Sequence, residues 1–126
     1  GGFASVERQE HGPGIWAVRT VPHIKERDTV IDGSRSIQEL EVLRKELGGK
    51  MRLVAVLASP SERYVRLQRR NRSDAPRSHD EFRQRDEREL GWGLGDLIAR
   101  ADLVIENEGT LDEFHDKVER ELDRPW

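Results

Sequence analysis

The chain has 126 residues, 37% of them charged and 34% hydrophobic, with a formal net charge of −3. That length suits one compact domain, and the absence of cysteine excludes a disulfide framework and any thiolate-ligated metal site. The longest apolar run, Leu53 to Ala58, is far too short to span a bilayer, so no membrane partner is expected. No charged-then-apolar leader is visible, and a cytoplasmic location is the expectation. The acidic total argues against a general nucleic-acid binder. Within the basic set, 18 residues are Arg and 4 are Lys, and Arg grips phosphate with a planar fork.

In chain order, Ala4 to Glu26 reads as helix, a Gly12-Pro13-Gly14 break, and a second helix that Pro22 kinks or ends. Asp28-Thr29-Val30-Ile31-Asp32 reads as a short strand ending in a carboxylate. Ser36 and Glu39 then form a capping box, in which hydroxyl and carboxylate each satisfy a free N–H of the first turn. Ile37, Leu40, Leu43 and Leu47 continue it as a helical stripe, which Gly48-Gly49 stops. Leu53 to Leu57 is apolar on both faces, as a buried parallel strand would be. Ser59-Pro60-Ser61-Glu62 is a second capping box with Pro at the first helical position.

From Arg63 to Leu90 there are nine Arg against six acids. Ser78 to Glu81 caps another helix, whose only large apolar residues are Phe82 and Leu90. This predicts a projecting arm over residues 63–95, held partly by pairs such as Glu81 with Arg85. Gly91-Trp92-Gly93-Leu94-Gly95 lacks a preceding strand, so it reads as a hinge before a helix over 96–101 rather than a dinucleotide fingerprint. Asp102 to Glu106 is a third strand. Thr110 and Glu113 cap a last helix with the stripe Leu111, Phe114, Val118 and Leu122. Strand alternating with helix predicts a single α/β domain: a parallel sheet of about three strands flanked by helices, with right-handed crossovers.

Open parallel sheets bind ligands beyond the carboxyl ends of their strands, which singles out Asp32, Gly33 and Arg35. Asp32 could hold Mg²⁺ directly or through water, and Arg35 could reach a phosphate. The bland alternative is a turn-capping Asp32 and a solvated Arg35. The Arg arm could close over polyphosphate or simply be a solvated face. His11, His23, His79 and His115 show no metal-ligand spacing.

These residues carry a resemblance. Val30-Ile31-Asp32-Gly33-Ser34-Arg35-Ser36 resembles the strand-end motif of archaeal-type nucleotide kinase-like proteins, related to adenylate kinase and dephospho-CoA kinase. His11-Gly12-Pro13-Gly14, Ala58-Ser59-Pro60 with Arg63 and Arg66-Leu67, and above all Arg85 to Gly95 support it. Ala101-Asp102 and Glu106 to Leu111 follow in the same order. The resemblance implies a P-loop NTPase fold, ATP as phosphoryl donor, Mg²⁺, a nucleotide-like acceptor and a closing lid. It implies Asp32 near Mg²⁺, Arg35 and Gly33 on the acceptor side, and Arg70, Arg72, Arg85 and Arg88 as lid arginines. The family's Gly-rich loop ending Gly-Lys-Ser/Thr, whose N–H groups and Lys cradle phosphates, has no counterpart here. Gly49-Lys50 is followed by Met51.

The leading expectation is therefore the C-terminal part of a nucleotide kinase-like phosphotransferase, weak or inactive without that loop, since positioning and electrostatics carry nearly all phosphoryl-transfer catalysis. The rival is a non-catalytic α/β assembly module that binds an anion through its arginines. RNA contact through the arm is a third reading, which the acidic total charge disfavours. The resemblance also implies a strand between 28–32 and 53–57. Without it, either those two segments pair directly or a second copy covers the open edges, and a two-fold homodimer is the favoured expectation.

Overall fold

A computed structural model describes residues 2–24 and 28–124. Among them are seven helices and two strands: α1 (Gly2–His11), α2 (Ile15–Thr20), α3 (Ile37–Leu47), β1 (Val54–Leu57), α4 (Pro60–Arg70), α5 (His79–Gly91), α6 (Leu94–Ala99), β2 (Leu103–Glu106) and α7 (Leu111–Leu122). They divide into two compact units, residues 1–52 with 89–100 and residues 53–88 with 101–126.

The first unit is helical. Ala17, Leu40, Leu43 and Leu97 are its buried apolar residues. The break at residues 12–14 is real, with Gly12 in the left-handed region at φ 95°. Gly14 is required for a different reason. A Cβ there would lie 3.2 Å from Val42 Cγ2 and 3.4 Å from the Gln38 carbonyl, so its missing side chain lets α2 begin hard against α3. A short 3-10 turn, Val21–His23, ends α2 at Pro22, where the missing N–H and fixed φ predict an end. α3 starts where its capping box predicts: the Ser36 side chain accepts from Glu39 N–H, and Arg35 N–H donates to Glu39 Oε2 at 2.9 Å.

The expected strand at 28–32 is not formed. No regular structure covers these residues, and Val30 is 93% exposed. A strand exists only in a ladder, and this segment joins no sheet among the described residues. Direct pairing of 28–32 with 53–57 is therefore absent, and the sheet has two strands rather than about three. The expectation at residues 25–27 lies outside the described residues.

The second unit holds the α/β core. β1 and β2 are parallel, with Val54 opposite Leu103 and Leu57 opposite Glu106. Ala55, Ile105, Phe82 and Pro76 are buried here. Two carboxylates close the ends of the pair. Leu53 N–H donates to Asp102 Oδ2 at 2.7 Å, and Ser59 N–H donates to Glu108 Oε1 at 2.7 Å. α7 begins at its expected cap, with the Thr110 side chain accepting from Glu113 N–H.

Candidate functional site

The carboxyl ends of β1 and β2 in the second unit are where an open parallel sheet takes ligands. The Ser59 side chain caps α4 by accepting from Glu62 N–H at 3.3 Å. Arg63 Nε donates to the Ala58 carbonyl at 3.1 Å, and its two terminal nitrogens form a bidentate pair with Asp86 at 2.6 and 2.8 Å. The same guanidinium lies 5.3 Å from the Phe82 ring centroid. Arg66 reaches the loop after β2, donating to the Asn107 carbonyl at 2.6 Å and the Gly109 carbonyl at 3.3 Å.

These contacts fix the α4–α5 pair. Tyr64 stacks on His79 at 3.9 Å and meets Phe82 edge-on at 5.5 Å. The turn between the helices is tied down as well. Asn71 takes the left-handed conformation at φ 46°, Gln68 Nε2 donates to the Pro76 carbonyl, and Pro76 is fully buried. The pair thus buries more than Phe82 and Leu90 alone predict, while Leu90 stays exposed. A cavity of about 300 Å³ is lined by Pro60, Ser61, His79, Phe82, Arg83 and Asp86.

The arginines of this pair split into two sets. Arg63, Arg66 and Arg85 are half-buried and held, the last by Glu81 at 3.0 Å. Arg69, Arg70, Arg72, Arg77, Arg83 and Arg88 are exposed. Of the four expected lid residues, Arg70, Arg72 and Arg88 present open guanidinium groups, and Arg85 is engaged within its own helix. The Arg77 backbone N–H donates to Glu81 at 3.0 Å. That bond first, and then the Arg85 charge, hold the Glu81 carboxyl below its ordinary value against the opposing effect of burial.

Asp32, Gly33 and Arg35 lie in the first unit. Asp32 is exposed, and Gly33 has φ 93°. The Arg35 guanidinium stands 3.4 Å from Glu89 and 6.0 Å from the Trp92 ring, and Arg8 lies 5.2 Å from the same ring. The shared Trp92 ring and Arg8 beside it were missed by sequence reasoning, whereas the buried Glu39, read there as the capping partner of Ser36, also accepts the Arg35 N–H. Arg8 and Trp92 are far apart in sequence, so only the fold brings them to Arg35.

The residues present do not make a complete site for Mg²⁺ and ATP. The phosphate-cradling loop is missing from the sequence, and Asp32 belongs to no group of three ligating side chains among the described residues. The one such group is Glu7, Glu10 and His11, with ligand atoms within 4.8 Å of one another. Glu7 is already paired with Arg19 at 2.6 Å, and the cluster is explained as ion pairing.

No family model matches the chain. Individual proteins do. It is 44% identical over 116 residues to the UPF0200 protein of Thermoplasma acidophilum, covering 91% of this chain and 64% of that protein. It is 44% identical over 125 residues to the UPF0200 protein of Hyperthermus butylicus, covering 97% of this chain and 66% of that one. The Pyrococcus furiosus UPF0200 protein is 40% identical over 119 residues. The chain belongs to the UPF0200 family. That family name assigns no kinase activity. The chain spans 64–66% of the length of these three UPF0200 relatives. Among the described residues, no helix is long and apolar enough to cross a membrane.

Proposed function

We propose that this chain is the arginine-bearing part of a nucleotide kinase-like phosphotransferase, binding the phosphates of a nucleotide or nucleotide-like ligand and lacking turnover by itself. The observation that carries this reading is the division of labour among the arginines of α4 and α5. Arg63 and Arg66 are spent on holding the helix pair to the strand ends, which leaves Arg70, Arg72 and Arg88 exposed on a fixed scaffold. Fixed guanidinium groups stabilise phosphate charge without a reorganisation cost at the moment of binding. The resemblance of Val30 to Ser36 and Arg85 to Gly95 to nucleotide kinase-like proteins supplies the reaction class.

Isothermal titration of the chain with pyrophosphate and with ATP in the presence of Mg²⁺ tests it. The expected result is weak binding, in the high micromolar range or above, lost on Arg70→Ala with Arg72→Ala and unaccompanied by ATP consumption. Binding unchanged in that double variant, or none at millimolar ligand, overturns it. A non-catalytic assembly module is the second reading, favoured by the incompletely covered sheet of the second unit.

A further inference from the structure

The cavity between the first turn of α4 and α5 lies apart from the arginines assigned to phosphate. Its α5 wall is His79, Phe82, Arg83 and Asp86. Their spacing, i, i+3, i+4 and i+7, places them on one face of the helix. Glu81, Arg85 and Arg88 follow a second stripe, turned away from the first around the helix axis. The cavity and the Arg85–Arg88 stripe are therefore different surfaces of α5.

The walls of this cavity are already in place. The bidentate Arg63–Asp86 pair ties α4 to α5, at 2.6 and 2.8 Å. Tyr64 backs the His79 ring at 3.9 Å and meets Phe82 edge-on. Phe82 is only 7% exposed, so its ring is fixed by packing. A site whose walls are held by such contacts loses little freedom when it is filled.

The chemistry of the lining is uneven. Phe82, Pro60 and the His79 ring supply apolar surface. Asp86 is the one carboxylate of the lining, and both its oxygens accept from Arg63, so its charge is already balanced. Arg83 is exposed at the rim, and among the described residues no carboxylate pairs with it. One open guanidinium over an apolar, ring-lined cavity matches a ligand with a flat apolar body and a single negative charge. A phosphate, strongly hydrated and calling for several donors, fits it poorly. The volume is about 300 Å³, where a cavity of about 150 Å³ accommodates benzene, so two fused rings fit. We infer that this cavity binds a small planar aromatic carboxylate, its rings seated against Phe82 and His79 and its carboxylate on Arg83.

Isothermal titration of the 126-residue chain with 2-naphthoate tests the inference, with 2-naphthamide, adenosine and acetate as comparisons. Binding of 2-naphthoate is expected with a Kd below about 1 mM. Side-chain NMR is expected to show the His79 and Phe82 ring resonances shifting with it. The uncharged 2-naphthamide is expected to bind about tenfold more weakly, the ratio set by a hydrogen bond to a charged group. Acetate, without a ring, and adenosine, without a charge, are expected to bind weakly or not at all. Arg83→Gln, at an exposed position, is expected to leave the circular dichroism unchanged. It should bring 2-naphthoate down to the affinity of the amide without altering binding of pyrophosphate. Ser61→Trp, at the exposed rim, fills the cavity and is expected to abolish binding of both naphthyl compounds. No binding of 2-naphthoate at millimolar concentration overturns the inference. So does equal binding of the amide, or binding untouched by Arg83→Gln or Ser61→Trp. Adenosine binding as tightly as 2-naphthoate makes the cavity a nucleobase seat, and displacement of 2-naphthoate by pyrophosphate makes it part of the phosphate surface; either result also overturns the inference.

Discussion

Two of the three segments with strand-like patterns, residues 28–32 and residues 53–57, part ways: the second becomes a strand and the first does not. Asp28 to Asp32 has a β-branched centre and a carboxylate end, yet Val30 stands almost wholly in solvent. Val54 to Leu57 meets Leu103 to Glu106 in register, and the flanking Leu53 and Ser59 N–H groups are held by two carboxylates. The difference is not propensity. β-structure is stabilised by cross-strand partners and burial, and the sequence of a segment does not contain its neighbour.

The sharpest way to break the comparison is to truncate one residue in each segment's environment. Ile105→Ala in β2, at a site only 3% exposed, is expected to destabilise the protein by about 2–5 kcal/mol through lost burial and a residual cavity. Val30→Ala is expected to stay within about 0.5 kcal/mol, as for exposed sites elsewhere. Denaturant unfolding followed by circular dichroism measures both. Equal losses would mean that 28–32 is packed after all.

A smaller effect is expected where the first unit does use buried polar chemistry. Glu39 is 3% exposed, accepts the Arg35 N–H and lies 3.6 Å from Arg8. Glu39→Ala is expected to cost about 1–3 kcal/mol, because it strips a cap and leaves donors without their acceptor. Glu39→Gln keeps an acceptor for the Arg35 N–H and should recover part of the loss. Equal losses in the two variants would assign the whole effect to charge.

The smallest effect concerns the start of α5. The Glu81 carboxyl is held below its ordinary 4.5 by the Arg77 N–H and then by Arg85. A depressed folded value means that the contribution is fully present above the unfolded value and is lost as pH falls through the folded one. Fraying of the first turn of α5 should therefore begin only as pH drops below about 4.5, visible in the amide exchange of residues 81–84. Glu81→Gln should remove that pH dependence and leave the rest of the helix unchanged.

What was legible in the sequence follows the same division. The caps at Ser36, Ser59, Ser78 and Thr110 were readable because each is a contract between residues three apart. The α/β class and the strand–helix order around β1 and β2 were readable from periodicity. The failed strand was not, since its outcome depends on a partner elsewhere in the chain. The bidentate Arg63–Asp86 pair was hidden within a run of alternating charges, where Asp86 looks no different from Glu87 or Glu89. Trp92 read only as part of a glycine-rich hinge, and its proximity to Arg8 and Arg35 is visible only in three dimensions.

The two carboxylate closures at the ends of the strand pair act like paired dowels. Asp102 accepts from Leu53 and Glu108 from Ser59, each across a separation of 49 residues. Val54 faces Leu103 at that same offset. A slip of two residues would keep every side chain on its original face, so hydrophobic burial alone would tolerate it. It would, however, pull both dowels at once and strand two carboxylates and two N–H groups. Alignment of the strands is thereby read locally, at each end, rather than through the chain that joins them. Length can then be added to or removed from the turn at residues 71–78 without moving the sheet out of step.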